Sequence, residues 1–287
     1  MVHYCQELLE AHQYFRDSEL YDRLTAMADA FIDVEPHRAV WRREKCQTTG
    51  PNFILPNTCP LATWPAPAPP GALLRVAQLA DDGVPILLYA GGFGVAKPFE
   101  RVVEILRQIG TRFKFIAFCS NTTEQDLNKF RAWAARQLPQ VPHALLPGRK
   151  RSELLPLLAQ ADAGFIDYSY AYEPILNQKY CAPTKLYEYM ASGLAVIGSN
   201  NPSLRTVIDA EEIGRTATQD TPGAMAAAAQ WVLEDAVRLA GMQRRSRACF
   251  AEKYCYEKLC APVVEELNRW LRNEIQRQQG PRPPASL

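Results

Sequence analysis

Between Ile86 and Asp235, short continuous apolar runs alternate with segments whose apolar residues recur at helical spacing. Few folds accept that pattern. Ile86–Tyr89 is apolar at every position, as a strand covered on both faces must be. Phe99, Val102, Val103, Leu106 and Ile109 then mark one face of a helix. The spacing goes on to predict a strand over Phe113–Cys119, a helix over Asp126–Gln137, a strand at Ala144–Leu146, a helix over Leu154–Ala161 and a strand over Gly164–Asp167. A helix over Thr184–Ser192, a strand over Ala195–Gly198 and a long helix from Pro222 to about Asp235 come next. Such alternation predicts the α/β class, with a doubly wound parallel sheet. A further helical stretch spans about Ala261–Arg277, and the tail Gly280–Leu287 reads as disordered. There is no internal repeat.

The upstream part is different. Seven of the chain's 22 prolines fall between Pro51 and Pro70. Such a segment can be neither helix nor central strand and is expected to run as an extended, semi-rigid connector. Before it come a short strand at Val2–Cys5, a helix around Glu19–Asp29 and a strand at Ala30–Val34, and Phe53-Ile54-Leu55 leads into Pro56-Asn57. The expected organisation is a partial α/β segment over 1–64, a proline-rich linker and lead-in over 65–84, the doubly wound domain over 85–250, a helical region over 251–279 and the tail 280–287. Residues 1–64 hold too few elements for an independent two-layer domain with its own core.

Composition excludes more than it selects. A net charge of +1 argues for neither nucleic acid nor an acidic partner. No apolar run approaches the ~20 residues needed to span a bilayer. Met1–Glu7 lacks the basic start and apolar core of a secretory leader. The eight cysteines are scattered without a C-x-x-C pair, which indicates neither zinc nor a dithiol centre. They read as the reduced cysteines of a cytoplasmic protein. His3, His12, His37 and His143 have no metal-ligand spacing and read as structural or exposed.

The stretch Ala182–Ile197 carries the most chemistry. Pro183 suits the first helical position, and Gly193 suits the residue just past the helix end. A helix starting in a loop offers free N–H groups and partial positive charge, which suits a phosphate. Lys185 adds a full charge in the first turn, and Glu188 lies three residues on, on the same face. Two readings stand at this point. One is an ordinary helix–strand unit with an i,i+3 ion pair. The other is an anion site with a carboxylate a turn below it, placed to accept sugar hydroxyls.

Other stretches share the same sheet edge. Gly91-Gly92-Phe93-Gly94 follows the first strand of the domain, where glycine lets a ligand approach the backbone. A dinucleotide fingerprint fails here, since Lys97 holds its third glycine position and the next strand ends in Cys119-Ser120 without an acidic ribose anchor. Ser120-Asn121 and Pro147-Gly148 also follow strand ends, where open α/β sheets bind ligands. Arg149-Lys150-Arg151 reads as a solvated helix start.

Pro183-x-Lys185-x-x-Glu188-Tyr189-Met190-Ala191-x-Gly193, followed by an apolar strand, resembles the donor-site signature of the retaining, glycogen-synthase-like glycosyltransferases of group 1, which have the GT-B fold. Gly91-Gly92 with Lys97 behind it, then Leu154–Ala161 leading into Asp162-Ala163-Gly164-Phe165, occur in the order found in that family. The resemblance covers roughly Pro85 to Leu271. It implies the donor-binding, Rossmann-like half of a GT-B enzyme, preceded by a truncated acceptor half. The donor would be a UDP- or GDP-sugar, and the reaction a transfer of its sugar, with retention, to a hydroxyl.

The resemblance also assigns residues. Lys97, Lys185 and the helix start at Thr184 would hold the diphosphate, with Gly91, Gly92 and Ser120 alongside. The backbone at Pro147 and Gly148 would lie beside the base. Glu188 would hold the ribose hydroxyls. The family often has two glutamates with seven residues between them, of which the second matches Glu188 and the first falls on Tyr180 here, and an arginine where this chain has Gly92. Asn177, with Tyr180, would then contact the transferred sugar. Glu173 is either a displaced substitute or a solvated loop residue. No metal is required, and no catalytic residue is assigned. A hexosyltransferase is implied, inactive alone if truncated. The alternative is a non-catalytic sugar-nucleotide-binding or regulatory subunit, and a sugar-nucleotide epimerase would need acid/base groups that are not visible. The expected partners are a further copy in a homo-oligomer, or another chain that completes the acceptor half.

Overall fold

The computed structural model describes residues 1–5, 23, 25–92, 99–170 and 176–278. The chain opens with a small parallel sheet of order β1-β2-β3: β1 Val2–Cys5, β2 Ala30–Asp33 and β3 Asn52–Ile54. A helix that the sequence pattern did not predict, α1 Pro36–Cys46, joins the last two strands. Its core face is charged. Arg42 is fully buried, donates from Nη2 to Asp33 at 2.6 Å and to Asn52 at 2.7 Å, and lies 3.7 Å over the Phe31 ring. A buried arginine needs such a full set of partners. Of the helix expected over Glu19–Asp29, residues 19–22 and 24 lie outside the described residues, while Arg23, Thr25 and Ala26 are helical; the tail after Gln278 also lies outside.

After β3 the connector has no helix or strand, turns once at Leu61–Trp64, and is stitched to the larger domain. Asn57 Nδ2 donates to the Ala182 carbonyl at 3.0 Å, Tyr256 N–H to Cys59 at 3.0 Å, and Ala68 N–H to Pro156 at 2.8 Å. Gln160 donates to the carbonyls of Ala68 and Pro69. After a short helix, α2 Ala72–Ala77, the main sheet begins.

That sheet has six parallel strands in the order β6-β5-β4-β7-β8-β9. They are β4 Ile86–Gly91, β5 Lys114–Cys119, β6 His143–Pro147, β7 Ala163–Ile166, β8 Ala195–Gly198 and β9 Gly214–Thr216. The helices between and after them are α3 Phe99–Gln108, α4 Glu124–Gln137, α5 Arg151–Leu158, α6 Leu176–Lys179, α7 Thr184–Ser192, α8 Pro202–Ile208 and α9 Pro222–Leu233. Successive strand residues point to opposite faces, and both faces are covered. Leu87, Tyr89, Phe115, Phe165 and Ile197 meet α3, α4 and α9 on one face. Leu88, Ala90, Ile116, Ile166 and Val196 meet α2, α5, α7 and α8 on the other. Double burial is why these strands read as unbroken apolar runs.

The structure adds elements that the pattern-based expectation lacks. The helix from Pro222 ends at Leu233, because the Asp235 side chain accepts from the N–H groups of Val237 and Arg238 and caps a new helix, α10 Ala236–Cys249. A π-helical turn, Phe250–Tyr254, links it to α11 Tyr256–Gln278. The elements α8 and β9 were not anticipated, and α5 begins three residues earlier than expected. Among the described residues no helix is long and apolar enough to cross a membrane, and no group of three or more His, Cys, Asp or Glu could hold a metal ion.

Candidate functional site

The strand order reverses at β4 and β7, and an open α/β sheet binds its ligands at that point, beyond the carboxyl ends of the strands. Helix α7 starts there. Pro183 is extended (φ −76°, ψ 126°) and stands one residue before the helix, not at its first position, and no side chain caps the helix start. The first amides therefore keep the anion-binding character of a helix N-terminus. At the other end Gly193 has φ +77°, where a side chain would strain, and its N–H closes the helix on Met190 at 2.9 Å.

Two contacts fix α7 against the sheet. The Tyr189 hydroxyl accepts from Ala90 N–H at 3.0 Å. Its ring fills the space over Gly164, where a Cβ would lie 2.2 Å from the ring. So anchored, α7 brings Lys185 Nζ to 4.8 Å from the Tyr89 ring centroid and 5.8 Å from that of Tyr168. Both lie within cation–π reach, so the two rings seat the ammonium at the cleft. Gly91 makes the room, since a Cβ there would come 2.7 Å from Nζ.

The neighbouring turns interlock around Ser120. Its N–H donates to the Gly91 carbonyl at 3.1 Å, while Gly148 N–H donates to Cys119 at 2.9 Å. A Cβ on Gly92 would meet the Ser120 carbonyl at 3.0 Å, and one on Gly148 its Cα at 2.9 Å. These two glycines serve close packing of three strand ends. One turn into α7, Glu188 is mostly buried, with 14% of its side chain exposed, and pairs with Arg151 Nη2 at 2.9 Å. Burial raises its pKa above the usual 4.5, with the charges of Arg151 and Lys185 pulling the other way.

These groups line a cleft of about 310 Å³. It brings together Gly91, Ser120, Gly148, Thr184, Lys185 and Glu188 of the residues singled out in the sequence. Gly92 stands behind the Ser120 carbonyl, and Pro147 ends β6 without lining the cleft. Asn177, on α6, and Tyr180, just beyond it, are not in the lining. Tyr180 instead faces the N-terminal segment: its ring stacks on His37 at 5.3 Å and its carbonyl accepts from Arg38 Nε at 2.6 Å. Lys97, Phe93, Gly94 and Glu173 lie outside the described residues.

The sequence pattern does not reveal Tyr89, Tyr168 and Arg149 as lining or seating groups, or Arg151 as the partner of Glu188. The basic triplet is therefore not merely a solvated helix start. A buried clamp beneath the cleft is equally hidden. Arg101, almost wholly buried, donates to Asp167 at 2.9 Å and Asp220 at 2.8 Å, and Asp220 accepts from Ser169 and Tyr170. The Asn201 amide donates to the carbonyls of Tyr168 and Gln178.

Two parallel-sheet units with a cleft at the carboxyl edge of the larger one define a GT-B-like fold. The family model described as glycosyl transferases group 1 matches residues 84–235, just over half of the chain. The chain belongs to that family. Its fold is similar to sucrose-phosphate synthase from Thermosynechococcus elongatus, with TM-score 0.71, 20% identity and coverage of 95% of this chain and 68% of the other. It is also similar to Anabaena HepE in complex with UDP-glucose, with TM-score 0.70, 14% identity and coverage of 93% and 72%. A glycosyltransferase from Rickettsia africae gives 0.66, 12%, 95% and 71%. No curated protein matches the chain by sequence.

Proposed function

We propose that the cleft binds a nucleoside diphosphate sugar, UDP- or GDP-linked, and that the protein transfers the sugar, with retention, to a hydroxyl acceptor, as a hexosyltransferase. One observation carries this reading. In a chain of the group 1 family, the uncapped start of α7 and the ring-seated Lys185 ammonium converge on the carboxyl edge of β4, one turn above the half-paired carboxylate of Glu188. HepE, a structural neighbour, is described in complex with UDP-glucose.

Loss of a nucleoside diphosphate places developing negative charge on the β-phosphate. Preorganised donors lower that barrier most when they lie where the charge appears. Lys185 and the first amides of α7 suit that place, and the family resemblance gives Lys97 the same role. This charge stabilisation needs no metal. Glu188 suits the ribose hydroxyls, because a carboxylate has acceptor positions left after one arginine contact. Asn177 would contact the sugar, and the backbone at Pro147 and Gly148 the base. The acceptor half and any completing partner belong to the same proposal.

The test is direct. The purified chain is incubated with radiolabelled UDP- and GDP-sugars and a panel of hydroxyl acceptors, and the anomeric configuration of any product is read by NMR. A product that keeps the donor's configuration, lost on Lys185→Ala, is expected. A product of inverted configuration would reject the retaining reaction. Tight donor binding without transfer to any acceptor would favour a binding or regulatory subunit.

A further inference from the structure

We propose a second anion site, in the cavity along the outer edge of β9, that takes a small, hydroxylated phosphate ester. The cavity measures about 670 Å³, within the range of small-molecule sites. It lies three strands from β4, roughly 14 Å across the sheet from the donor cleft. The site stands independently of what the cleft binds.

Four arginines line the cavity: Arg205 from α8, Arg215 from β9, and Arg238 and Arg245 from α10. The nearby acids are already engaged. Asp209 accepts from the Thr216 N–H at 2.9 Å and from the Thr216 hydroxyl. Glu212 pairs with Arg245 at 3.2 Å. Glu234 and Asp235 pair with Arg238 at 3.2 and 3.8 Å. Arg205 reaches only the amide oxygen of Asn200. Among the described residues, neither Arg205 nor Arg215 has a carboxylate partner. Two guanidinium groups from two different elements thus keep donors without a carboxylate over the cavity, where the four arginines and the acids Asp209, Glu212, Glu234 and Asp235 balance in charge.

The lining also narrows the ligand. Arg215 and Arg238 lie over the Trp231 ring, at 4.6 and 4.1 Å from its centroid. That stacking holds both guanidinium planes and leaves the ring a poor platform for a nucleobase. Strand addition by a peptide is opposed too, because Asp209 covers the outward N–H of the edge strand at Thr216. Guanidinium forks match the oxygens of a phosphate group. The remaining volume, with Thr218 in its wall, suits a hydroxylated body.

The full chain carrying Lys185→Ala, which removes the cleft cation, is titrated with inorganic phosphate and with glycerol 3-phosphate. The readout is the indole ¹⁵N–H signal of Trp231, assigned by Trp231→Phe among the five tryptophans. Both probes should move this signal saturably, the ester more tightly than phosphate. Arg205→Ala with Arg215→Ala should weaken binding about tenfold or more, at an unchanged thermal midpoint. No saturable shift, an equal shift with chloride at matched ionic strength, or an unaltered affinity in the double variant would overturn the site. Binding to phosphatidate vesicles without response to the soluble ester would overturn it in favour of a lipid headgroup.

Discussion

A methyl group on Gly91 would sit 2.7 Å from the Lys185 ammonium, the mobile end of a long side chain. The same methyl would also crowd the buried Tyr89 side chain, at 3.1 and 3.3 Å, so Gly91→Ala is expected both to push the ammonium out of its aromatic seat and to strain the end of β4. UDP affinity should fall about tenfold, measured by calorimetry at a temperature where thermal melts show the variant fully folded. Glu188 gives a pH dependence. Burial raises its pKa above the usual 4.5, and the Arg151 charge holds it back. If the carboxylate form binds ribose, affinity fades as pH falls through that raised value. Arg151→Ala removes the opposing charge and should move the fade to higher pH. Titrations of UDP from about pH 4 to pH 8 check this, and a midpoint that stays put in the variant contradicts the pairing. Lys185 and Glu188 were legible in the sequence because their relation is local, three residues along one helix. Arg151 and Tyr168 were not, because they reach the cleft from other elements, and spacing along the chain carries no trace of such a meeting.

Helix α7 depends on a missing side chain. Gly164 lies under the Tyr189 ring, and a Cβ there would come 2.2 Å from it. Gly164→Ala should destabilise the protein by about 1–3 kcal/mol, the usual cost of overpacking, measured as a lower urea midpoint. An unchanged midpoint would mean that α7 is not locked to β7 through this ring. The central strands were readable because burial on both faces writes an unbroken apolar run. Helix α1 was not, because its buried residues are Arg38, Ala39 and Arg42, so its core face looks like a solvated one. The seven residues of α8 and three of β9 are too short for a period to register. The break between α9 and α10 turns on a single capping carboxylate, Asp235.

The two sheets are joined by more than chain continuity. The Glu257 carboxylate accepts from the N–H groups of Leu61 and Ala62 at 3.0 Å each, tying the connector to the start of α11. Those bonds lower its pKa to about 2. A depressed carboxyl stabilises the fold fully above its unfolded pKa and loses that contribution as pH falls through the folded value. Glu257→Ala should thus lower the thermal midpoint at neutral pH, and the gap to wild type should close between about pH 4.5 and pH 2. A gap independent of pH would contradict this linkage. Proline content revealed a connector, but not its docking, which rests on backbone groups that every sequence carries. The chain spans 68% of the sucrose-phosphate synthase and 72% of the HepE chain to which its fold is similar. The cleft at the edge of the larger sheet is where the proposed donor chemistry stands or falls. Calorimetric titration of UDP into wild type and Lys185→Ala tests it most directly. One site per chain, weakened by about 1–3 kcal/mol in the variant, is expected. Equal affinity in the two proteins, or no binding to either, would contradict it.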